Sequence, residues 1–229
     1  MIGMLNVLDE RRIFSRVACT RINLGRMPCL RVDITRESAA CLHRAERLLR
    51  GMRVIMPHGR KITLCGAEQI TEDALYPRIG AAIIEYAIMH EWANDSISVT
   101  ISGRATGAAQ RSAVMAIARR ARYVSLRSQC DDELSDALAH ELGIATLSAD
   151  VSRMASVHAE LSVSAARFEF CYTRAHKHYG FTGAKIALPD DFNMTDLHIN
   201  AVAAAHLEMG LLRPEEVHVT EVLFDNTNI

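Results

Sequence analysis

The sequence predicts an α/β protein whose larger part is a three-layer structure, a parallel sheet with helices packed on it. Three runs with strand patterns alternate with two runs with helical patterns between residues 96 and 148, in the order β-α-β-α-β. Short connections in this order are typical of parallel strands joined through helices. A smaller β-β-α pattern comes before them, so we expect a small N-terminal α+β region over 1–93 and an α/β domain over 94–229.

The N-terminal region begins with two strand patterns, VACTRINL (17–24) and CLRVDI (29–34), which are separated by the turn sequence GRMP. The second run alternates apolar and charged residues, which indicates a half-buried strand. An apolar stripe predicts a helix over about 37–50, because Gly51 follows at the position where glycine commonly ends a helix. RVIMP (53–57) then has the composition of a short strand.

A strongly apolar helix is predicted over about 76–92, with Pro77 in its first turn, where proline is favoured. Apolar residues cover most of its circumference, and Glu85 is the one charged residue in the run 79–89. A helix that is apolar on most sides is buried in its own domain or between two subunits. We therefore expect a homo-oligomer, with a homodimer as its simplest form. The run is too short to span a bilayer.

The α/β domain is predicted to hold strands at 96–102, 122–128, 144–148 and 158–165 and helices at about 106–121 and 132–142. Later elements are two strands and one helix: KIALP (185–189), EVHVTEVLF (216–224) and a helix from Thr195 or Asp196 to Met209. Aspartate and threonine favour helix starts because their side chains accept hydrogen bonds from the first free N–H groups. The rest of 166–193 has no clear pattern.

The segment VTISGRATG (99–107) ends a predicted strand in a glycine turn and leads into an alanine-rich helix. Residues 96–150, about a quarter of the chain, resemble the first β-α-β unit of Rossmann-type dinucleotide-binding domains. The resemblance implies that a phosphate binds at this turn and helix N-terminus, on Ser102, Gly103, Arg104, Ala105, Thr106 and Gly107. Ala105 stands where the usual GxGxxG pattern has its middle glycine, so a turn that only closes the fold is the alternative.

A basic residue, Arg127, lies near the end of the second predicted strand of this unit. Rossmann domains that bind NAD carry an acid there, about 20 residues past the turn, to hold the ribose 2′-hydroxyl. Here Arg127 and Ser128 occupy that end, and an arginine accommodates the 2′-phosphate of NADP. The resemblance therefore implies NADP, rather than NAD or S-adenosylmethionine, as the cofactor.

Four further groups of residues could carry chemistry, and each has a simpler structural role. His176 and His178 would face the same way on a strand, but the spacing gives no third metal ligand, so no metal is assigned. The pair HE at 140–141 lacks the second histidine of HExxH. The pair DD at 190–191 and His58 follow strand patterns, where ordinary loops and ligand sites both occur.

The composition indicates a globular protein without a strongly charged partner. Apolar residues make up 49% of the 229 residues, charged residues make up 23%, and the net charge is −1. This balance provides no basic field for nucleic acid or an anionic membrane, and 5% aromatic residues leave few rings for base stacking. Six scattered cysteines and an N-terminus without a basic signal region predict reduced thiols in a cytoplasmic protein.

Three functions follow from these patterns. The first is an NADP-dependent oxidoreductase, or a relative that binds the nucleotide without turnover. The second is a non-enzymatic α/β protein that acts through dimerisation or partner binding. The third is a transferase or hydrolase for another phosphorylated small molecule at the same turn. Catalytic residues are not assigned, because the sequence contains no recognisable Lys, Tyr or His constellation.

Overall fold

A computed structural model describes residues 2–8, 16–57, 60, 62–105, 107–127, 132–165, 167–192 and 199–227. The chain forms two compact units, Met1–Leu75 with Leu188–Arg213, and Tyr76–Ala187 with Pro214–Ile229. In these described residues the architecture is mixed α/β, with one mixed sheet in each unit and five α-helices. The first segment of the first unit ends at Leu75, whereas the sequence predicts a domain boundary after residue 93. The domain boundary after residue 93 stays a prediction.

The first unit contains a five-stranded sheet in the order β2-β3-β1-β4-β5. Its strands are β1 Ile2–Val7, β2 Val17–Leu24, β3 Met27–Ile34, β4 Arg53–Ile55 and β5 Glu68–Ile70. The central strand β1 pairs in parallel with β3 and β4, and β2 forms an antiparallel hairpin with β3. The predicted strands of this region are present as β2, β3 and β4, while β1 and β5 were not predicted.

Helix α1 (Ala39–Leu49) confirms the helix predicted between β3 and β4. The Ser38 hydroxyl accepts a hydrogen bond from the Cys41 N–H at 3.3 Å, which satisfies one of the free donors at the helix start. Cys41, Ala45 and Leu49 are spaced four residues apart and therefore share one buried face. This face packs into a core with residues of β1, β3 and β4.

Helix α5 (Ile199–Glu208) also belongs to the first unit, and the predicted helix starts at Thr195 and Asp196 lie outside the described residues. Its fully buried His206 lies between two backbone carbonyls. Nδ1 is 2.9 Å from the oxygen of Val202, and Nε2 is 2.9 Å from the oxygen of Leu24 at the end of β2. The imidazole therefore links α5 to the β2–β3 hairpin.

The second unit contains a six-stranded sheet in the order β11-β10-β9-β8-β6-β7. Its elements are α2 Tyr76–His90, β6 Ile97–Ser102, α3 Ala108–Ala118, β7 Tyr123–Leu126, α4 Asp132–Leu142, β8 Val157–Ser164, β9 Arg167–Arg174, β10 Lys177–Ala187 and β11 His218–Thr227. β7, β6 and β8 are parallel, whereas β8, β9, β10 and β11 pair antiparallel in succession. The predicted strand at 144–148 is reduced to a single parallel bridge between Leu147 and Ser125.

One face of this sheet is apolar and aromatic. Trp92 is fully buried, and its ring lies 5.6 Å from that of Phe170 and 5.1 Å from that of Tyr172. Helix α2 packs closely on this face. At Gly80 the contact is so close that an added Cβ would lie 2.7 Å from the Phe168 ring. Most apolar side chains of α2 are buried, and Met89 is the main exposed one at 68%.

The opposite face of the sheet is polar. In β6, Ser98, Thr100 and Ser102 alternate with buried apolar residues, and in β8 His158, Glu160 and Ser162 do the same. The two rows are partners in the parallel register, so they lie side by side on one face. Successive side chains of a strand point to opposite faces of the sheet. The apolar residues of β6 and β8 therefore lie on the buried face, and the polar residues between them lie on the opposite face.

Candidate functional site

The glycine turn after β6 approaches β8 closely. Gly103 has φ +90°, and a Cβ at this position would lie 2.6 Å from the carbonyl oxygen of Val163. Glycine is therefore favoured at position 103 for two reasons, the left-handed backbone and the close approach of this turn to β8. The Ser102 hydroxyl lies 3.5 Å from the carbonyl oxygen of Leu161 and also faces β8.

The N-terminus of α3 is partly occupied by a side chain of the helix itself. Gly107 is the N-cap residue, and a Cβ there would lie 2.2 Å from Oε1 of the buried Gln110. A separate cavity of about 380 Å³ lies beside this end and is lined by Ala105, Gly107 and residues of α3 and α4. Thr106 lies outside the described residues.

Arg127, the predicted phosphate ligand, lies at the carboxyl end of β7. Its backbone N–H donates to the Ile101 carbonyl at 2.9 Å, which continues the pairing with β6. Its guanidinium Nη2 lies 3.3 Å from Oε2 of Glu160 on β8. Arg104 is exposed and does not line the cavity that contains Arg127, and Ser128 lies outside the described residues.

A groove of about 1110 Å³, here called the polar groove, extends over the polar face of the second unit's sheet. Strand residues and the segment that leads into β8 line it together. Its polar lining consists of Thr100, Ser102, Ser125, Arg127, Ser148, Asp150, Ser152, His158, Glu160, Ser162, Glu169 and Cys171. Of the predicted site residues, the groove therefore brings Ser102 and Arg127 together, whereas Ala105 and Gly107 line the smaller cavity.

His158 is the most enclosed titratable group in the polar groove. Its Nδ1 lies 3.0 Å from the hydroxyl oxygen of the buried Ser98, and its Nε2 lies 3.8 Å from Oε1 of Glu160. Burial lowers the pKa of His158 below its ordinary value, while the charges of Glu160 and Asp150 oppose this shift and that of Arg127 adds to it. The balance favours a neutral imidazole at neutral pH.

The segment between the Leu147 bridge and β8 contributes an ordered carboxylate. Asp150 accepts hydrogen bonds from the Ser152 N–H at 2.8 Å and from the Ser152 hydroxyl at 3.0 Å. These hydrogen bonds hold the pKa of Asp150 below its usual value, so this carboxylate is ionised. On β9, burial raises the pKa of Cys171 to about 11, which keeps its thiol protonated and unreactive at neutral pH.

The other candidate residues do not assemble into a site. His176 (φ +64°) lies in the two-residue turn between β9 and β10, so it does not share a strand face with His178. Glu141 pairs with Arg111, Asp190 lies in a short 3-10 turn of the first unit, and His58 is outside the described residues. Among the residues that the structure describes, no three histidine, cysteine or acidic side chains are grouped for a metal.

Sequence reasoning missed His158, Glu160 and Asp150 as groove residues. The signal for the first two is present in HAELSVS (158–164), where polar residues alternate strictly with Ala159, Leu161 and Val163. The run predicts a strand, and its strict alternation also predicts which residues share the polar face. Asp150 carries no comparable signal, because its position depends on an irregular segment.

Comparison with known proteins gives no match: no family model, curated protein or solved structure is significantly similar to this chain. In the described part of the chain, no helix combines the length and apolar character that crossing a bilayer requires. The geometry of the polar groove is therefore the basis for a functional proposal.

Proposed function

We propose that the second unit binds a phosphorylated nucleotide in the polar groove, with NADP as the first candidate. The observation that carries this proposal is the position of Arg127, at the carboxyl end of β7 and in the same groove as Ser102 of β6. Arginine binds phosphate through paired N–H donors, and serine hydroxyls add further hydrogen bonds. Among the described groove residues Arg127 is the one permanent cation, so it is the natural phosphate ligand.

The strand order supports this location. β6 has β7 on one side and β8 on the other, and the chain visits β7 first and returns to β8 later. In open α/β sheets, ligands bind outside the carboxyl ends of strands at such a reversal of strand order. Ser102 and Ser162 are register partners near the carboxyl ends of β6 and β8. A Rossmann-like description of this half of the sheet is part of the proposal.

The remaining groove residues suit the other parts of a nucleotide. Asp150 offers an ionised carboxylate to those ribose hydroxyls that carry no phosphate. The groove volume of about 1110 Å³ slightly exceeds the usual range for ligand pockets, roughly 300–1,000 Å³, and so has room for a large ligand. A different phosphorylated small molecule would use the same arginine and hydroxyl groups, so the ligand series below includes ATP.

Differential scanning calorimetry against NADPH, NADH, ATP and S-adenosylmethionine tests the proposal. A ligand present at 100 times its Kd stabilises the native state by about 2.7 kcal/mol, which raises the melting temperature by several degrees. We expect NADPH to give the largest shift and Arg127→Glu to abolish it. Arg167→Glu is the matched control, because Arg167 is an exposed arginine of the same unit that also pairs with a glutamate, Glu169.

Two results would overturn the proposal. One is the lack of a shift with any of the four compounds at millimolar concentration. The other is an NADPH shift that Arg127→Glu and Arg167→Glu reduce equally, because the effect of Arg127 would then be one of general charge. The homodimer and the cytoplasmic location stay predictions, and light scattering at micromolar concentration tests the first of them.

A further inference from the structure

The carboxylate of Glu160 lies between two groups that can both bind an anion. Oε2 of Glu160 is 3.3 Å from Nη2 of Arg127, and Oε1 is 3.8 Å from Nε2 of His158. Each oxygen thus faces a different partner. A carboxylate in this arrangement occupies the place in which the oxygens of a phosphate or sulfate group would sit.

The two partners differ from Glu160 in how firmly they are held. His158 is buried at 6% exposure, and Ser98, its register partner on β6, holds Nδ1 at 3.0 Å, so the ring is fixed in the sheet face. The Glu160 side chain is 47% exposed and can rotate toward solvent. Exposed ion pairs such as Arg127–Glu160 contribute only about 0.2–1 kcal/mol, so a dianion can compete with this carboxylate.

We propose that Glu160 is an internal competitor for an anion site: a dianionic phosphate or sulfate group displaces its carboxylate, binds between Arg127 and His158, and is accompanied by uptake of one proton on His158. The proposal rests on the proposed function, for which it assigns the residues that hold the 2′-phosphate of NADP. The proton comes from solvent and no covalent bond of the ligand changes. Binding is therefore linked to pH through one histidine.

The charges around His158 explain the proton uptake. Glu160 on its own strand, Asp150 on the preceding segment and Arg127 beyond β7 are the charged groups that act on it. The neighbouring strand β9 contributes Cys171, whose raised pKa leaves it uncharged. A bound dianion neutralises Arg127 and adds negative charge beside Nε2. Since nearby negative charge favours the imidazolium, the anion and the proton stabilise each other.

Isothermal titration with sodium sulfate tests the inference, because sulfate keeps two negative charges from about pH 5 to about pH 8, where histidine titrates. We expect wild-type affinity to rise about fivefold or more as the pH falls through this range. Glu160→Gln should bind sulfate about fivefold tighter than wild type at neutral pH, since the competitor is removed. His158→Gln should bind more weakly and lose the pH dependence.

Glu141→Gln is the matched control for Glu160→Gln. Like Glu160→Gln, this change neutralises a half-exposed glutamate that pairs with an arginine of the same unit, here Arg111. Unlike Glu160, Glu141 has no buried histidine beside it among the described residues. Equal sulfate affinities of wild type, Glu160→Gln and Glu141→Gln would overturn the inference, as would a pH dependence that persists in His158→Gln. NMR spectra of the imidazole ¹⁵N nuclei confirm that each variant is folded and report whether His158 becomes protonated on binding.

The two proposals fail separately in these experiments. If NADPH binds and needs Arg127 but Glu160→Gln does not strengthen sulfate binding, the nucleotide site stands and the internal competitor is refuted. If sulfate behaves as expected but no nucleotide binds, the anion site stands and the ligand is a different phosphorylated or sulfated compound.

Discussion

Replacing Gly103 by alanine should destabilise the second unit more than the same change at Gly143, another glycine of this unit with a left-handed backbone. Gly103 has φ +90°, and an added Cβ would lie 2.6 Å from the Val163 carbonyl oxygen. This neighbour is backbone of β8, in register with β6, so it cannot move without breaking strand pairing. The alanine must therefore either clash or separate the carboxyl ends of two central strands.

The magnitude has two parts. Placing alanine in the left-handed region costs roughly 1–2 kcal/mol. Forcing a methyl group into a packed site costs about 1–3 kcal/mol more. Gly143→Ala isolates the first part, because Gly143 has φ +66° in the same unit and a Cβ there meets nothing within 4 Å. We expect Gly103→Ala to lose about 2–5 kcal/mol of unfolding free energy and Gly143→Ala about 1–2 kcal/mol.

Urea unfolding followed by tryptophan emission measures both values. Trp92 is the only tryptophan of the chain, and it is fully buried in the aromatic face of this unit, so its emission shifts to the red when the unit unfolds. Equal destabilisation in the two variants would refute the argument, because it would show that the approach to Val163 has no energetic consequence. A larger loss in Gly143→Ala would refute it as well.

Two further predictions concern the buried histidines. His206→Ala should destabilise the first unit by about 2–5 kcal/mol. The change leaves a cavity and removes the imidazole, whose two nitrogens lie 2.9 Å from the carbonyl oxygens of Val202 and Leu24. Urea unfolding monitored by circular dichroism measures the loss, and a value below about 1 kcal/mol would contradict the prediction. For His158, burial lowers the pKa in the folded state, so the unfolded chain binds a proton first as the pH falls below about 6.5. The unfolding free energy of the second unit, measured without added anion, should therefore decrease as the pH falls below that value, and His158→Gln should flatten this slope; equal slopes in both proteins would exclude the effect.

The elements with strong local patterns were predictable from the sequence. VACTRINL coincides with β2, and the apolar run around Ile83 coincides with α2, because period-two and helical spacing are local properties. β1 was missed because it is the central strand of a sheet, where both faces are covered and alternation disappears. Glycine at position 3 lets α1 pack closely on this strand, since an added Cβ there would lie 2.5 Å from the Leu49 side chain.

Strand β9, most of β10 and the polar groove depend on pairing that local patterns do not encode. β9 and β10 are joined by a turn in which Ala175 and His176 both have positive φ, without the glycine or asparagine that normally signals such a hairpin. The run 144–148 has strand composition but forms only one bridge. Arg127 was predictable from its position after a strand, whereas its neighbour Glu160 follows from the register between β6 and β8.

The position of the groove changes the physical basis on which a phosphate would bind. At a helix N-terminus the anion is held by free N–H groups, but at α3 the Gln110 side chain reaches back to Gly107. On the sheet face the anion would instead be held by Arg127 and by an imidazole whose charge depends on the ligand. Anion affinity at the helix N-terminus would not change with pH near neutrality, because backbone N–H groups do not titrate there. Anion affinity on the sheet face would change with pH, because a histidine titrates in this range. The pH dependence of anion binding therefore distinguishes the glycine turn from the polar groove without further structural information.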